Sequence, residues 1–310
     1  MLPEITAQQC ATMTLTTSFT ATPEIPIPVA TLGSVAEVTD DELTRYAELI
    51  YERTGIRISP QKKSLLSNRV RRRLRETGSG GFAEYYQHLR RLPPHDPEWD
   101  AFLQEITTHE TFLFRDASQW EWFRQTYLPE CAAEARSGSR PRSLRIWSAA
   151  CSTGDEAYTI ACCIADSLPN PAQWQIRILG TDIGTGAVEQ AKAACFGERA
   201  MKLVPESYKR RFFRKAPAAN VWQACPTLAQ MVAFRQHNLL DRLRESPFDV
   251  VFLKNVLIYF APESKRQVMA HVREAIRPGG LLVSGPAEGI TELVKDLVRL
   301  RPWLFQRPPQ

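Results

Sequence analysis

The stretch from Ile146 to Tyr158, IWSAACSTGDEAY, restricts the fold more than any other part of the chain. An apolar run, LRIWSAA from Leu144 to Ala150, suits a buried strand, and from Asp155 through Leu168 apolar residues recur at helical spacing. Small residues and Gly154 separate the two. A strand, a tight turn and a helix place backbone N–H groups and a helix N-terminus at the strand's C-terminal end. In open α/β sheets that is where ligands bind. The turn has neither the GxGxxG of dinucleotide sites nor the GKS/T of a P-loop. Two acids at the helix start, Asp155 and Glu156, repel phosphate and suit a ligand that carries a cation.

A second signal follows about thirty residues on. IRILGTDIG (Ile176 to Gly184) reads as a strand ending in Asp182. An acid at the end of the second strand is what a ribose diol requires, because a carboxylate accepts both hydroxyl protons. A nucleoside ligand without a phosphate cradle points to S-adenosylmethionine. Either segment alone fits an ordinary βαβ unit with capping acids equally well; together they favour the nucleoside.

Bulk properties set wider bounds. With 310 residues, 44% of them hydrophobic, the chain holds one large domain and a smaller one. No segment approaches the roughly 18 apolar residues of a membrane span, so no membrane insertion is expected. The start, MLPEITAQQC, has no basic region before an apolar core and does not read as a secretory signal. Seven cysteines, two of them adjacent at Cys162 and Cys163, predict reduced thiols and a cytoplasmic location. None has zinc-ligand spacing, and no metal site is expected.

Charge is unevenly distributed. Eight Lys or Arg residues and no acid lie between Arg57 and Arg75, while Leu66, Val70 and Leu74 recur every four residues. That pattern predicts an amphipathic helix with one buried face and a basic outer one. The outer face reads as a docking surface for an acidic partner rather than a merely solvated face, with Arg69, Arg72 and Arg73 as its candidates. Nucleic acid is one such partner, but no aromatics interleave for base stacking, and an acidic protein helix fits as well.

Composition divides the chain. Residues 1 to about 38 are rich in Thr, Pro and Ala and are expected to lack packed structure. A capped helix begins at Thr39 and ends at Gly55, and helical patterns continue to Pro93 and Pro94. The predicted helical domain spans 39–104. From Leu144 strands and helices alternate, closing with FDVVFLKNVLIYF, a helix over 262–277 and LLVSG. Between Phe196 and Phe234 the alternation fails, which predicts a small β insertion at about 205–233 of a 105–310 α/β domain.

In order along the chain stand ITTHETFLFRD (Ile106 to Asp116), IWSAACSTGDEAYTIA, LGTDIG, VAFRQHNLL and LKNVLIYFAPESKRQVM, followed by IRPGGLL. With these motifs the chain resembles the CheR family of chemotaxis receptor methyltransferases over about residues 40 to 290. The resemblance implies a Rossmann-like α/β S-adenosylmethionine-dependent methyltransferase domain carrying a small β-subdomain, preceded by a small all-helical N-terminal domain. It implies methyl transfer from S-adenosylmethionine, yielding S-adenosylhomocysteine, to glutamates of the cytoplasmic helical region of chemoreceptors. In some members the β-subdomain docks the enzyme on receptors.

Site residues carry over position by position. His109, Thr111 and Arg115 match the cofactor segment, and a guanidinium at Arg115 suits the cofactor's carboxylate. Asp155 matches the acid for its ammonium and Asp182 the ribose acid. Asn238 and Leu239 match the pair around the adenine, and Asn255 and Val256 the lining of the methyl region. Tyr259, read from the residues alone as a core tyrosine, matches an aromatic near the reacting methyl. Arg115 and Tyr259 are thus the candidates for the catalytic centre. His109 stands for the family's usual Asn, Asp155 for Glu, Lys254 for Arg and Ala261 for Asp, and GPAEGI (Gly285 to Ile290) for G-x-x-E-S-L. Two other readings stay open: a methyltransferase for a different protein or a small molecule, and a non-catalytic binding module.

Overall fold

The computed structural model describes residues 37–216 and 220–309. The expectation for the first 38 residues lies outside these for residues 1–36. Val38, by contrast, is buried and its N–H donates to Ser67 Oγ at 3.1 Å, so this residue is packed two positions ahead of the helix that starts at Asp40.

That helix, α1 (Asp40–Thr54), starts with a capping box between Thr39 and Glu42 and stops at Gly55, whose φ of 71° is left-handed. It packs with α2 (Lys63–Thr77), α3 (Phe82–Arg91) and α4 (Pro97–Ile106) around buried Tyr46, Ile50, Val70, Tyr85 and Phe102. Leu66, Val70 and Leu74 are the buried stripe of α2, as their spacing predicts. The helix α4 runs past the expected boundary at 104. Pro at its first turn and Asp96 as its cap fix where it starts, but no sequence signal of comparable strength marks its end.

Helix α5 (Ala117–Trp122) continues through a π turn (Phe123–Tyr127) into α6 (Leu128–Ser137) and covers one face of the sheet. The strand β1 (Ser143–Ala149), helix α7 (Asp155–Ser167), strand β2 (Gln175–Asp182) and helix α8 (Thr185–Ala193) follow the order read from the sequence. A three-stranded antiparallel sheet follows, and its Phe196, Phe213 and Ala224 join the core on one side of the main sheet. The small sheet consists of β3 (Cys195–Gly197), β4 (Phe213–Ala216) and β5 (Val221–Ala224), with β5 central and helix α9 (Glu206–Phe212) before β4. The predicted insertion at 205–233 is therefore displaced. Its first strand precedes 205, and Val232 opens β6 (Val232–Gln236), a parallel edge strand of the main sheet. β6 is short and largely exposed, so its hydropathy does not distinguish it from the strands of the insertion.

After β7 (Phe248–Leu253), helix α10 (Pro262–Ala275) and β8 (Ile276–Ser284), an antiparallel hairpin of β9 (Val298–Arg301) and β10 (Leu304–Gln306) completes the main sheet. The order is β6-β2-β1-β7-β8-β10-β9. Every residue of β7 is buried, as expected of a parallel strand covered on both faces. The chain runs outward from β1 through β2 to β6, then returns to β7 on the other side of β1. That reversal opens a crevice at the carboxyl ends of β1 and β7, the switch point where open α/β sheets bind ligands. Among the described residues no helix is long and apolar enough to cross a membrane. Cys131, Cys151, Cys162, Cys163 and Cys225 are free thiols.

Candidate cofactor and substrate cleft

The crevice enlarges into a cleft open to solvent, with the sheet's switch point as floor and the helical domain as one wall. Its framework is held in backbone that L residues seldom adopt. Ala150, Ser152 and Gly154 after β1, Phe114 and Asp116 ahead of α5, and Asn255 after β7 all have φ between 52° and 89°. Such conformations persist where the surroundings over-determine them, and they gather at functional sites. Gly154 is also required by packing, because a Cβ there would lie 2.9 Å from the Ala191 Cβ of α8.

Asp182, at the end of β2, is buried and lines the cleft. Its Oδ2 accepts from Ser152 N at 2.8 Å and its Oδ1 from Gly184 N at 3.0 Å. One lone pair per oxygen remains for a ligand. Leu239, Ile183 and Val256 add apolar lining. Asn238 borders the cleft, but its amide is engaged elsewhere: Nδ2 donates to Arg53 O at 2.8 Å and Oδ1 accepts from Leu240 N at 3.1 Å. The expected reading of a base edge by this amide is therefore corrected. It ties the helical domain to the α/β domain.

Arg115 and Thr111 face the cleft, and among the described residues the one polar contact of the guanidinium is the Glu110 carbonyl at 3.4 Å. No carboxylate among the described residues pairs with it. Asp155, expected beside them, is 1% exposed and does not line the cleft; its carboxylate folds back onto Thr153 Oγ1 at 2.6 Å. Its neighbour Glu156 lines the cleft instead, accepting from Ser148 Oγ at 2.7 Å. Adjacent residues on a helix point about 100° apart, so only one of two consecutive acids reaches a given cavity. Beneath them Lys254, its side chain 3% exposed, lies 3.1 Å from Asp116 and 3.4 Å from Glu156, and 4.9 Å from the centre of the Trp120 ring.

Tyr259 is half-buried at the rim, with Lys62 5.3 Å from its ring centre, so the core-tyrosine reading does not hold. Its loop is gripped by the helical domain. Arg57 N donates to Tyr259 O at 2.8 Å, Ile56 bridges Phe260, and Ala261 N donates to Gly55 O at 3.1 Å. A Cβ at Gly55 would stand 2.8 Å from Ser264 Cβ in the left-handed region. Gly55→Val is expected to destabilise the fold by about 2–3 kcal/mol. It should also slow turnover about tenfold or more while cofactor affinity changes less, as urea titration, steady-state kinetics and calorimetry would show.

The basic helix is less free than its sequence implies. Arg73, 11% exposed, forms a two-pronged pair with Glu98 of α4 at 3.0 and 2.6 Å. Arg69 turns into the cleft, donating to Ile106 O and to Thr108 Oγ1 at 3.1 Å. Arg72 remains exposed but reaches Glu105 at 3.0 Å. Two of the three predicted docking residues are thus corrected: Arg73 is structural and Arg69 belongs to the cleft. The balancing acids are Glu98 and Glu105 of α4 and Glu76 near the end of α2 itself, all outside the stretch 57–75.

Residues 41–107 match the family described as "CheR methyltransferase, all-alpha domain", and residues 109–301 match "CheR methyltransferase, SAM binding domain". The chain belongs to the CheR methyltransferase family. It is 33% identical over 284 residues to a chemotaxis protein methyltransferase of Klebsiella aerogenes, covering 90% of this chain and 94% of that protein. The protein of that name from Escherichia coli is 33% identical over 261 residues, 83% of this chain and 87% of its own. Chemotaxis protein methyltransferase 2 of Pseudomonas aeruginosa is 34% identical over 266 residues, 84% and 90%. As a CheR methyltransferase this is an S-adenosylmethionine-dependent enzyme.

The residues present fit that cofactor. Asp182 has acceptor capacity for a diol, Arg115 is a guanidinium without a carboxylate partner among the described residues, Glu156 is an acid on the cleft wall, and apolar side chains line the remaining surface. The motifs contain Glu156 and Lys254 but do not single out Glu156 over Asp155 or pair Lys254 with Asp116 and Glu156, and they give Glu288 no role. For Glu156 the local signal was the second acid of the pair. For Glu288, which caps the Asn255 loop, it was the acid retained in GPAEGI.

Burial pushes the Asp155 carboxyl from 3.8 up to about 6, against the hydrogen bond from Thr153. A raised carboxyl pKa means that the folded state binds the proton more readily than the unfolded chain. Stability therefore falls as pH rises between about 4 and 6, and the full penalty stands at neutral pH. Asp155→Asn is expected to stabilise the protein by about 1–2 kcal/mol near pH 7 and by little near pH 4. Urea denaturation at the two pH values tests this, and cofactor affinity should change by less than about threefold.

Proposed function

We propose that this enzyme transfers a methyl group from S-adenosylmethionine to glutamate side chains in the cytoplasmic helical region of chemoreceptors, and so tunes sensory adaptation. The observation that carries this reading is the union, in one cleft, of the diol acceptor Asp182 with a rim of cationic side chains, Lys62, Arg69 and Arg115. The first suits a nucleoside and the second draws in an anionic acceptor. In this account Thr111, Arg115, Glu156, Asp182, Leu239, Asn255 and Val256 hold the cofactor. The helical domain meets the receptor with Arg72 on its outer face, in the cytoplasm.

When bound, S-adenosylmethionine supplies a methyl group activated on a sulfonium, whose sulfur leaves as a neutral thioether. A glutamate with a pKa of about 4.3 is already ionised near neutral pH, so the protein needs no general base. Its task is to align the incoming carboxylate and exclude water, which raises the carboxylate's reactivity by proximity and desolvation. Arg115 and Tyr259 stand where the cofactor segment and the rim loop meet the cleft, and they orient that carboxylate. The helical domain closes over the cleft through the bridge at residues 55–57.

The test is incubation with labelled S-adenosylmethionine and helical cytoplasmic receptor fragments. Label is expected in fragments that carry glutamates and absent from fragments whose methylation-site glutamates are replaced by glutamine. Equal labelling of both would refute the assignment of glutamate as acceptor.

A further inference from the structure

His109 stands in the cleft wall, and its ring is held by contacts that settle its proton. Thr107 Oγ1 lies 2.7 Å from Leu103 O, a group that only accepts, so the single hydroxyl proton of Thr107 is spent there. Toward His109 Nε2, also at 2.7 Å, the same hydroxyl must accept. Nε2 therefore carries the proton in the neutral ring, and Nδ1 is a bare acceptor. That nitrogen faces Asp182 Oδ1 at 3.8 Å, too far for a hydrogen bond and with acceptors on both sides. The backbone closes the arrangement: Ser152 N donates to Asp182 and Ser152 Oγ to His109 O at 3.1 Å.

Two acceptors side by side with no donor between them are a receptor for hydroxyl groups. We propose that His109 Nδ1 and Asp182 form a paired acceptor for the cofactor's vicinal diol, that protonation of His109 shuts it, and that Thr107 is the positioning residue that sets the ring's tautomer. This rests on the cofactor reading given above and adds a proton-dependent element to it. A proton on Nδ1 turns that nitrogen into a donor aimed at Asp182, which then has an internal partner in place of the ligand. The charged groups facing the ring are Asp182 from β2 and Arg69 from α2, while Glu156, Lys254, Arg115 and His237 line the same cleft. Burial lowers the His109 pKa below 6.5, Asp182 opposes that shift and Arg69 adds to it. At neutral pH the ring is neutral and the acceptor pair is open. Affinity is lost as pH falls through the lowered pKa.

Calorimetry of the full chain with S-adenosylhomocysteine, from about pH 8 to about pH 5, tests the proposal. The unaltered protein is expected to lose about tenfold in affinity per pH unit once below the His109 pKa, the slope of one linked proton. His109→Asn, which supplies an amide that does not titrate, is expected to bind with a flatter profile. Asp155 titrates in the same range in both proteins, so the difference between the two profiles belongs to His109. In nitrogen-15 spectra near pH 8, His109 should be the Nε2–H tautomer, and Thr107→Val should disturb it. Matching pH slopes in His109→Asn and the parent would overturn this inference alone. Absence of binding near pH 8 would overturn the cofactor reading and this inference together.

Discussion

Asp182→Ala is expected to weaken S-adenosylhomocysteine binding by about tenfold to two-hundredfold while the protein stays folded. A hydrogen bond to a charged group contributes about 1.5–3 kcal/mol, and with His109 Nδ1 taking the other hydroxyl proton the variant loses one such bond to the diol. The carboxylate also receives Ser152 N and Gly184 N, which hold the turns after β1 and β2. Those amides lie at a solvent-open cleft, so water replaces their acceptor and the melting temperature should drop by only a few degrees. Asp182→Asn keeps the shape and one oxygen and should fall between the two. Calorimetry with circular dichroism on each variant checks both parts. Unchanged affinity in Asp182→Ala would remove the ribose assignment.

Glu288→Ala should be the most damaging change to turnover outside the cofactor contacts. Glu288 is 1% exposed; its Oε2 accepts from Leu257 N at 2.7 Å and its Oε1 from Asn255 N. Burial raises its pKa, and the amides of the Asn255 loop pull the other way by bonding the charged form. This carboxylate therefore holds the loop that carries Asn255, Val256 and Tyr259, including the left-handed Asn255 at φ 58°. Removing it orphans at least two amides at about 1–3 kcal/mol each, so stability should fall by about 2–6 kcal/mol. Single-turnover methyl transfer should slow by about a hundredfold. Glu288→Gln, with one acceptor oxygen left, should lose less of both. A Glu288→Ala enzyme with the parent's single-turnover rate would show that the loop holds its shape unaided.

Much of this molecule is legible where its chemistry is local in sequence. The strand, turn and helix around Gly154 and the acid ending β2 are each set by a few consecutive residues, and both lie at the switch point as read. What the sequence concealed are contacts that join distant residues. Arg73 looks like a free cation until α4 brings Glu98 to it, and Asn238 looks like a base-reading amide until the fold places Arg53 O beside it, 185 residues away in sequence. Asp155 and Glu156 are equivalent in a motif and opposite in a helix, because the 100° step between them decides which one faces the cleft. The boundary of the β insertion failed for a related reason. The pairing that assigns Val232 to the main sheet and β3 to the small one is made in space, not in hydropathy.

The most direct measurement of the central claim is the alkali lability of the product. Receptor cytoplasmic fragments labelled by this enzyme from methyl-labelled S-adenosylmethionine should release volatile methanol on mild base treatment, with mass spectrometry placing the ester on glutamate side chains. Label that survives alkali, as N-methyl groups do, would contradict the account.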